Sequence, residues 1–170
     1  MRRILMLAVT ACLASCFAAG LGLAGAAPAG ADPVPVAVAT VDKAEAHLGE
    51  TVTLTVTYTN PEAVPVTFGY LSVNPTYSTW SSGVDFTMNS CTGGITSCWF
   101  GHPQPWAAYM NPTTPLAPGA SRTVTITYDI EPTSACGGGY HIAFFLYAYR
   151  ESTAGFVGQT LGGPATSVLC

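Results

Sequence analysis

Residues Thr51–Thr59 read TVTLTVTYT, with threonine at every odd position and Val52, Leu54, Val56 and Tyr58 at the even ones. Side chains of a β-strand point alternately to its two faces, so this period of two predicts a strand with one dry face and one hydroxyl-covered face. The same design returns in SRTVTITYDI (Ser121–Ile130), where Val124, Ile126, Tyr128 and Ile130 alternate with Thr123, Thr125, Thr127 and Asp129. Two strands solvated on one side imply antiparallel sheets.

Outward from these strands the pattern continues. YHIAFFLYAY, from Tyr140 to Tyr149, is a nearly continuous apolar and aromatic run. It predicts a central strand covered by core on one side and by loops on the other. VPVAVATVD before Lys43 and VPVTFGYLSV from Val64 add two more strands, with Pro33 and Pro35 placing the first at an edge. HLGE (47–50) and LAPGAS (116–121) put a glycine turn ahead of each threonine-alternating strand, and NPE at Asn60 and EPTSACGGG from Glu131 end those strands. Gly137, Gly138 and Gly139 read as a flexible approach to a strand, because no helix or basic residue follows to build a phosphate cradle. Helical signals are nearly absent, so the expected class is an all-β sandwich.

The chain opens with MRRILMLAVTACLASCFAAGLGLAGAAPAGADP. Arg2 and Arg3, the apolar run from Ile4 and the small residues Ala29-Gly30-Ala31 predict a secretory signal peptide over 1–31. A second reading takes Leu13-Ala14-Ser15-Cys16 as a lipobox with Cys16 lipidated, but the apolar stretch after it is not the usual polar tether. Residues 32–170 are then one domain, secreted or held at the cell envelope. No later stretch approaches about 18 uninterrupted apolar residues, so no transmembrane segment is expected there.

From Asp32 onward Lys43, Arg122 and Arg150 stand against nine acidic residues, a net charge near −6. Such a surface is a poor partner for nucleic acid. Four cysteines follow the leader: Cys91, Cys98, Cys136 and Cys170. Three pairings are formally open, and the one expected is Cys91–Cys98 with Cys136–Cys170, the second tying the C-terminus to the approach of a late strand. Cys91, Cys98 and His102 match no compact zinc spacing and lack a fourth ligand, so no metal is expected. No cofactor is implied.

AHLGETVTLTVTYTNPEAVPV and LAPGASRTVTITYDIEP resemble the immunoglobulin-like modules of bacterial surface proteins, in particular the cell-adhesion-related and conserved-repeat domains. In those modules a Gly-x-Thr-Val lead-in opens a strand ending in Thr-Asn, and a Leu-x-Pro-Gly turn opens a second alternating strand. The resemblance implies an immunoglobulin-like antiparallel β-sandwich, and it covers Val36 to Val73 and Pro115 to Tyr149. Its motifs encode architecture more than activity. Two departures are a single copy where tandem arrays are usual, and a long cysteine-bearing aromatic insert.

That insert lies between Val73 and Ser121, longer than one short strand and two turns require. It holds all three tryptophans, and Ser90 to Tyr109 (SCTGGITSCWFGHPQPWAAY) carries no Asp, Glu, Lys or Arg. GVDFTM (83–88) and GITSCWF (94–100) are expected to form a hairpin stapled by Cys91–Cys98. In one reading the rings pack over the outer face of a sheet and cover an edge. In the other, Trp80, Trp99, Trp106 and Tyr109 form a platform for a sugar ring or an apolar partner, with Asn89, His102 and Gln104 orienting it.

No catalytic constellation emerges. Of the histidines, His47 falls in a turn, His102 in the insert and His141 on a strand beside core residues. Asp85 is the carboxylate near the insert, without a second one close in sequence to suggest a glycosidase pair. Serines occur without a Gly-x-Ser-x-Gly elbow. The function expected is a non-catalytic binding or adhesion module that meets an extracellular glycan or protein through the insert. The alternatives are an interaction domain pairing along a sheet edge, or a small secreted hydrolase in which Asp85 and His102 would be the first residues to mutate.

Overall fold

The computed structural model describes residues 35–170; the leader over 1–31, its cleavage point and the lipobox Cys16 lie outside the described residues. In chain order the elements are β1 (Ala37–Val41), β2 (Glu45–His47), β3 (Thr51–Thr59), β4 (Phe68–Pro75), α1 (Tyr77–Ser81), β5 (Phe86–Gly93), β6 (Ile95–Phe100), β7 (Ala108–Pro112), β8 (Ser121–Ile130), β9 (His141–Ser152) and β10 (Gly155–Leu169). One sheet has four strands in the order β1-β3-β8-β5 and the other six in the order β2-β10-β9-β4-β7-β6. All ladders are antiparallel except β2 with β10. The protein is an immunoglobulin-like antiparallel β-sandwich.

The alternating strands sit side by side, as their shared design requires. β3 pairs β8 over nine registered positions, from Thr51 opposite Asp129 to Thr59 opposite Ser121. Their outer hydroxyls bond one another, with Thr59 Oγ1 to Ser121 Oγ at 2.7 Å and Thr57 Oγ1 to Thr123 Oγ1 at 3.2 Å. Their inner faces bury Val52, Leu54, Val56, Tyr58, Val124, Ile126, Tyr128 and Ile130 against Leu71, Val73, Ile142, Phe144 and Leu146 of the other sheet. Each large apolar side chain taken out of water contributes about 1.5–3 kcal/mol before its lost entropy is counted.

Two inner tyrosines keep polar ends in this core. The Tyr128 hydroxyl donates to Thr166 Oγ1 at 2.8 Å, and Thr166 in turn donates to the Lys43 carbonyl at 2.8 Å. The Tyr58 hydroxyl donates to the Gly94 carbonyl. A buried phenol without such a partner would be costly, and both are satisfied.

The insert departs from the expected hairpin. Cys91–Cys98 is formed, as is Cys136–Cys170, but β5 and β6 do not pair with each other. β5 is the edge of the four-stranded sheet on β8, and β6 is the edge of the six-stranded sheet on β7. The chain crosses between sheets at Gly93-Gly94, and the disulfide fastens the two edges on that side of the sandwich. Gly93 has φ +109° and any Cβ there would collide with the Thr123 carbonyl; a Cβ at Gly94 would lie 2.8 Å from Arg122 Cβ. Only glycine passes this corner without displacing β8.

β9 is central, between β10 and β4, as expected. Its outer side carries Tyr147, half-buried beside Tyr70 of β4, and Tyr149, exposed beside Phe156 of β10, so it is partly open to solvent where cover by loops was expected. The strand β10, fifteen residues long, carries no clear strand pattern in sequence because Gly155, Gly158, Gly162, Gly163 and Pro164 interrupt it. A register shift between Gly162 and Ala165 absorbs the Gly-Pro step.

Candidate functional site

The tryptophans of the insert end up in three different places. Trp99 stands on the outer face of β6, opposite Tyr109 of β7. Cys98 and Phe100 on either side of it pack against the core, so the pleat sends Trp99 outward, 45% exposed. Trp106 turns inward. Its ring lies near-parallel to Phe86 at 6.1 Å between centroids, and its Nε1 donates to Asp85 Oδ1 at 3.1 Å. The Pro105 carbonyl accepts from the Met88 amide at 2.9 Å, holding the loop over 101–107 against β5. Trp80 is 60% exposed on α1, tilted against Tyr77 at 6.1 Å. The helix is capped by the preceding Thr76, whose hydroxyl accepts from the Thr79 amide.

The polar groups expected beside these rings are dispersed too. Asn89 is exposed on β5, at a bulge in the four-stranded sheet, whereas Trp99 and Tyr109 belong to the six-stranded one. His102 and Gln104 are exposed in the loop over 101–107. Of the seven residues expected to form a platform, the fold brings together Trp99 and Tyr109.

Those two rings join a larger aromatic field that the sequence reading missed. Trp99 and Tyr109 are near-parallel, 6.0 Å apart at an interplanar angle of 25°. Tyr70 of β4 lies 6.3 Å from Tyr109 at 24°, and 6.3 Å from both Trp99 and Tyr147. Tyr147 of β9 sits in register with Ser72 of β4, as does Tyr109 of β7. Tyr149, in register with Tyr70, stacks on Phe156 of β10 at 5.2 Å and 20°. The field crosses five adjacent strands, and such ring contacts each add about 0.5–1.5 kcal/mol beyond area burial. Alternation in β9 held the signal: Phe144, Leu146 and Ala148 are buried while Tyr147 and Tyr149 face out.

The electrostatics of the field are simple. β4, β6, β7 and β10 contain no Asp, Glu, Lys, Arg or His. β9 has His141 at its start and Arg150 and Glu151 near its end, with Arg150 paired to Glu62 at 2.8 Å. Partial burial pushes the Tyr70 phenol up, so it stays a neutral hydroxyl at ordinary pH. Polar groups within the field are amides and hydroxyls: Asn111 Nδ2 donates to Ser97 Oγ at 2.8 Å, and Asn74 Nδ2 to Ser72 Oγ at 2.8 Å.

The groups weighed for catalysis have other partners. Asp85 accepts from Trp106; His47 Nδ1 lies 3.3 Å from the Cys170 carbonyl oxygen, and His141 Nδ1 lies 3.2 Å from that of Gly139. His141 opens β9 in an exposed position, not beside the core. Among the described residues no three His, Cys, Asp or Glu side chains gather as a metal group, and no helix is long and apolar enough to cross a membrane.

The strand order and the two-sheet core place the chain in the class of immunoglobulin-like domains, the class its sequence motifs resemble. No family model and no curated protein matches the chain. Similar solved structures include a protein described as membrane anchored from Corynebacterium diphtheriae, at 15% identity and TM-score 0.49 over 79% of this chain and 35% of that one. The major pilin subunit of Bacillus cereus aligns at 9% identity and TM-score 0.48, over 78% of this chain and 39% of the pilin. An uncharacterized Nocardia farcinica protein with an immunoglobulin-like fold aligns at 11% and 0.43, over 79% of this chain and 98% of that one. The chain thus spans little more than a third of the first two. These neighbours are bacterial surface and immunoglobulin-like domains, and at such scores the likeness carries no functional argument.

Proposed function

We propose that this domain is a non-catalytic binding module that works outside the cell or at the cell envelope, and that it meets its partner on the outer face of the six-stranded sheet. One observation carries the reading. Trp99, Tyr109, Tyr70 and Tyr147 form a continuous, half-exposed and uncharged aromatic surface across β6, β7, β4 and β9. Core packing does not require these rings, since the inner faces already form the core, and exposed aromatic groups of this extent mark interaction surfaces. Two disulfides suit an oxidising compartment. The leader over 1–31 supplies the export route in this proposal, with lipidation at Cys16 as the alternative anchor.

The reading is tested by co-sedimentation of the mature chain with envelope fragments of the producing organism. Trp99→Ala with Tyr147→Ala should reduce the bound fraction at least tenfold, whereas Trp80→Ala should not change it. Binding that is indifferent to the double substitution in a folded protein would refute the reading.

A further inference from the structure

The six-stranded sheet ends on β2, which covers β10 only over Ser167–Leu169. From Gly155 to Gly162 the outer edge of β10 is open: among the described residues no strand but β9 pairs with it, and residues 153–160 are all exposed. In an antiparallel ladder every second residue of an edge strand turns its N–H and C=O away from its neighbour, so this edge is a row of unused donors and acceptors. The edge is also held in place. In the turn before it the Ser152 hydroxyl donates to the Gly155 carbonyl at 2.8 Å and accepts from the Ala154 amide at 3.2 Å, and Phe156 stacks on Tyr149. The other edges of the sandwich are each blunted. β1 has five residues and follows Pro35, β2 has three, and β5 and β6 each carry a register shift and are fastened to one another by Cys91–Cys98. GFVGQTLG (155–162) has no charge, no proline and no register shift, and it exposes Phe156 (52%) and Val157 (37%) on its two faces.

We infer that this edge pairs with the same edge of a second copy of the chain, antiparallel about a two-fold axis at Gly158, so that two six-stranded sheets become one continuous sheet. The inference stands independently of the proposed binding face. A two-fold contact uses one patch twice, and a strand paired with itself in this way is antiparallel. Counted from the axis, Gly158 of one copy meets Gly158 of the other, Val157 meets Gln159, and Phe156 meets Thr160. No charge meets a charge, an aromatic ring faces a β-branched residue, which is a favourable cross-strand pair, and bare glycines at the axis leave the backbones free to approach. Both copies are acidic overall, yet Gly155–Gly162 brings no ionised side chain into the contact. A foreign peptide added to a sheet edge is selected by pockets or charges for its side chains. This edge of glycine, threonine and glutamine holds no charge for that purpose, whereas a second copy brings a strand that is already ordered and so loses little freedom on pairing. In such a dimer the aromatic faces of both copies lie on the same side of the joined sheet.

The test is sedimentation velocity of the chain from Asp32 onward. Between about 1 μM and about 1 mM it should show a monomer–dimer equilibrium, a weak one because a single pair of strands makes a contact of the small class, below about 1,200 Å². Val157→Lys with Gln159→Lys sets lysine opposite lysine twice across the pair and should weaken association more than about tenfold, as should Val157→Glu with Gln159→Glu. An equimolar mixture of the two double variants should recover the dimer, since each lysine then meets a glutamate in this register. Gln159→Lys and Gln159→Glu, at a fully exposed position, repeat the mixing if the Val157 variants do not fold. Trp99→Ala should leave the equilibrium where it is. A chain monomeric across the whole range, a dimer indifferent to the lysines, or a mixture that stays monomeric would each overturn the inference. Association lost in Trp99→Ala but kept in the lysine variants would move the contact to the aromatic face. A monomer whose lysine variants change only its sedimentation with envelope fragments would assign the edge to a foreign strand, and self-pairing would be wrong.

Discussion

The indole Nε1 of Trp106 donates to Asp85 Oδ1 across 3.1 Å, joining the loop after β6 to the start of β5 in the opposite sheet. The insert is thereby divided by function. Trp106 closes the sandwich, whereas Trp80 and Trp99 face solvent.

Removing the closure should cost stability. Trp106→Ala is expected to destabilise the domain by about 3 kcal/mol, through lost packing on Phe86 and an unpaired Asp85, and Trp80→Ala by less than about 0.5. Urea unfolding checks both. In variants retaining a single tryptophan, acrylamide should quench Trp80 most, Trp99 next and Trp106 least. A Trp106 quenched as strongly as Trp80 would contradict the inward position.

Alkaline pH should loosen the core through Tyr128, whose phenol is pushed up to about 12 by burial. Folded chains keep it neutral at pH values where an unfolded chain, with an ordinary value near 10, already ionises. Its contribution is complete below pH 10 and is lost as the pH rises towards 12, up to about 3 kcal/mol for a shift of this size. Burial raises Tyr58 as well, so it adds to the decline. Unfolding midpoints from pH 8 to 12 should fall less steeply in Tyr128→Phe than in the wild type.

The two disulfides close rings of different length, with sequence separations of 7 and 34. On the chain-entropy account Cys91→Ser with Cys98→Ser should cost about 2.5 kcal/mol, and Cys136→Ser with Cys170→Ser about 4. Denaturant titration of each pair gives the comparison. Loss of the shorter ring should in addition free β6 from β5 and raise acrylamide quenching of Trp99, which loss of the longer ring should leave alone.

The crossing between sheets depends on glycine at 93. Gly93→Val combines a positive φ with collision against the Thr123 carbonyl, and should cost at least about 2 kcal/mol. Gly119, also at positive φ but with open space around its Cβ position, should tolerate alanine with a loss of about 1 kcal/mol. Equal losses at the two sites, measured by thermal unfolding, would show that the crossing is not sterically constrained.

The alternation of threonine with Val52, Leu54, Val56 and Tyr58, and its repeat in β8, determined by themselves that this is a two-sheet all-β domain, because a period of two leaves only one side to bury. Cysteine number and position pointed to both disulfides. Local pattern could not say which sheet receives β6, since pairing with β7 in preference to β5 follows from a glycine corner and from contacts far apart in sequence. Nor could it say which way each tryptophan points: Trp99 and Phe100 are neighbours, one must face out, and only the ladder with Tyr109 and Ala108 chooses. The aromatic face is likewise a tertiary product. Tyr70, Tyr109, Tyr147 and Phe156 lie tens of residues apart for the most part, and strand order in the folded sheet brings them to one surface, while glycine at 69 and 158 leaves room for the side chains of Tyr149 and Tyr147.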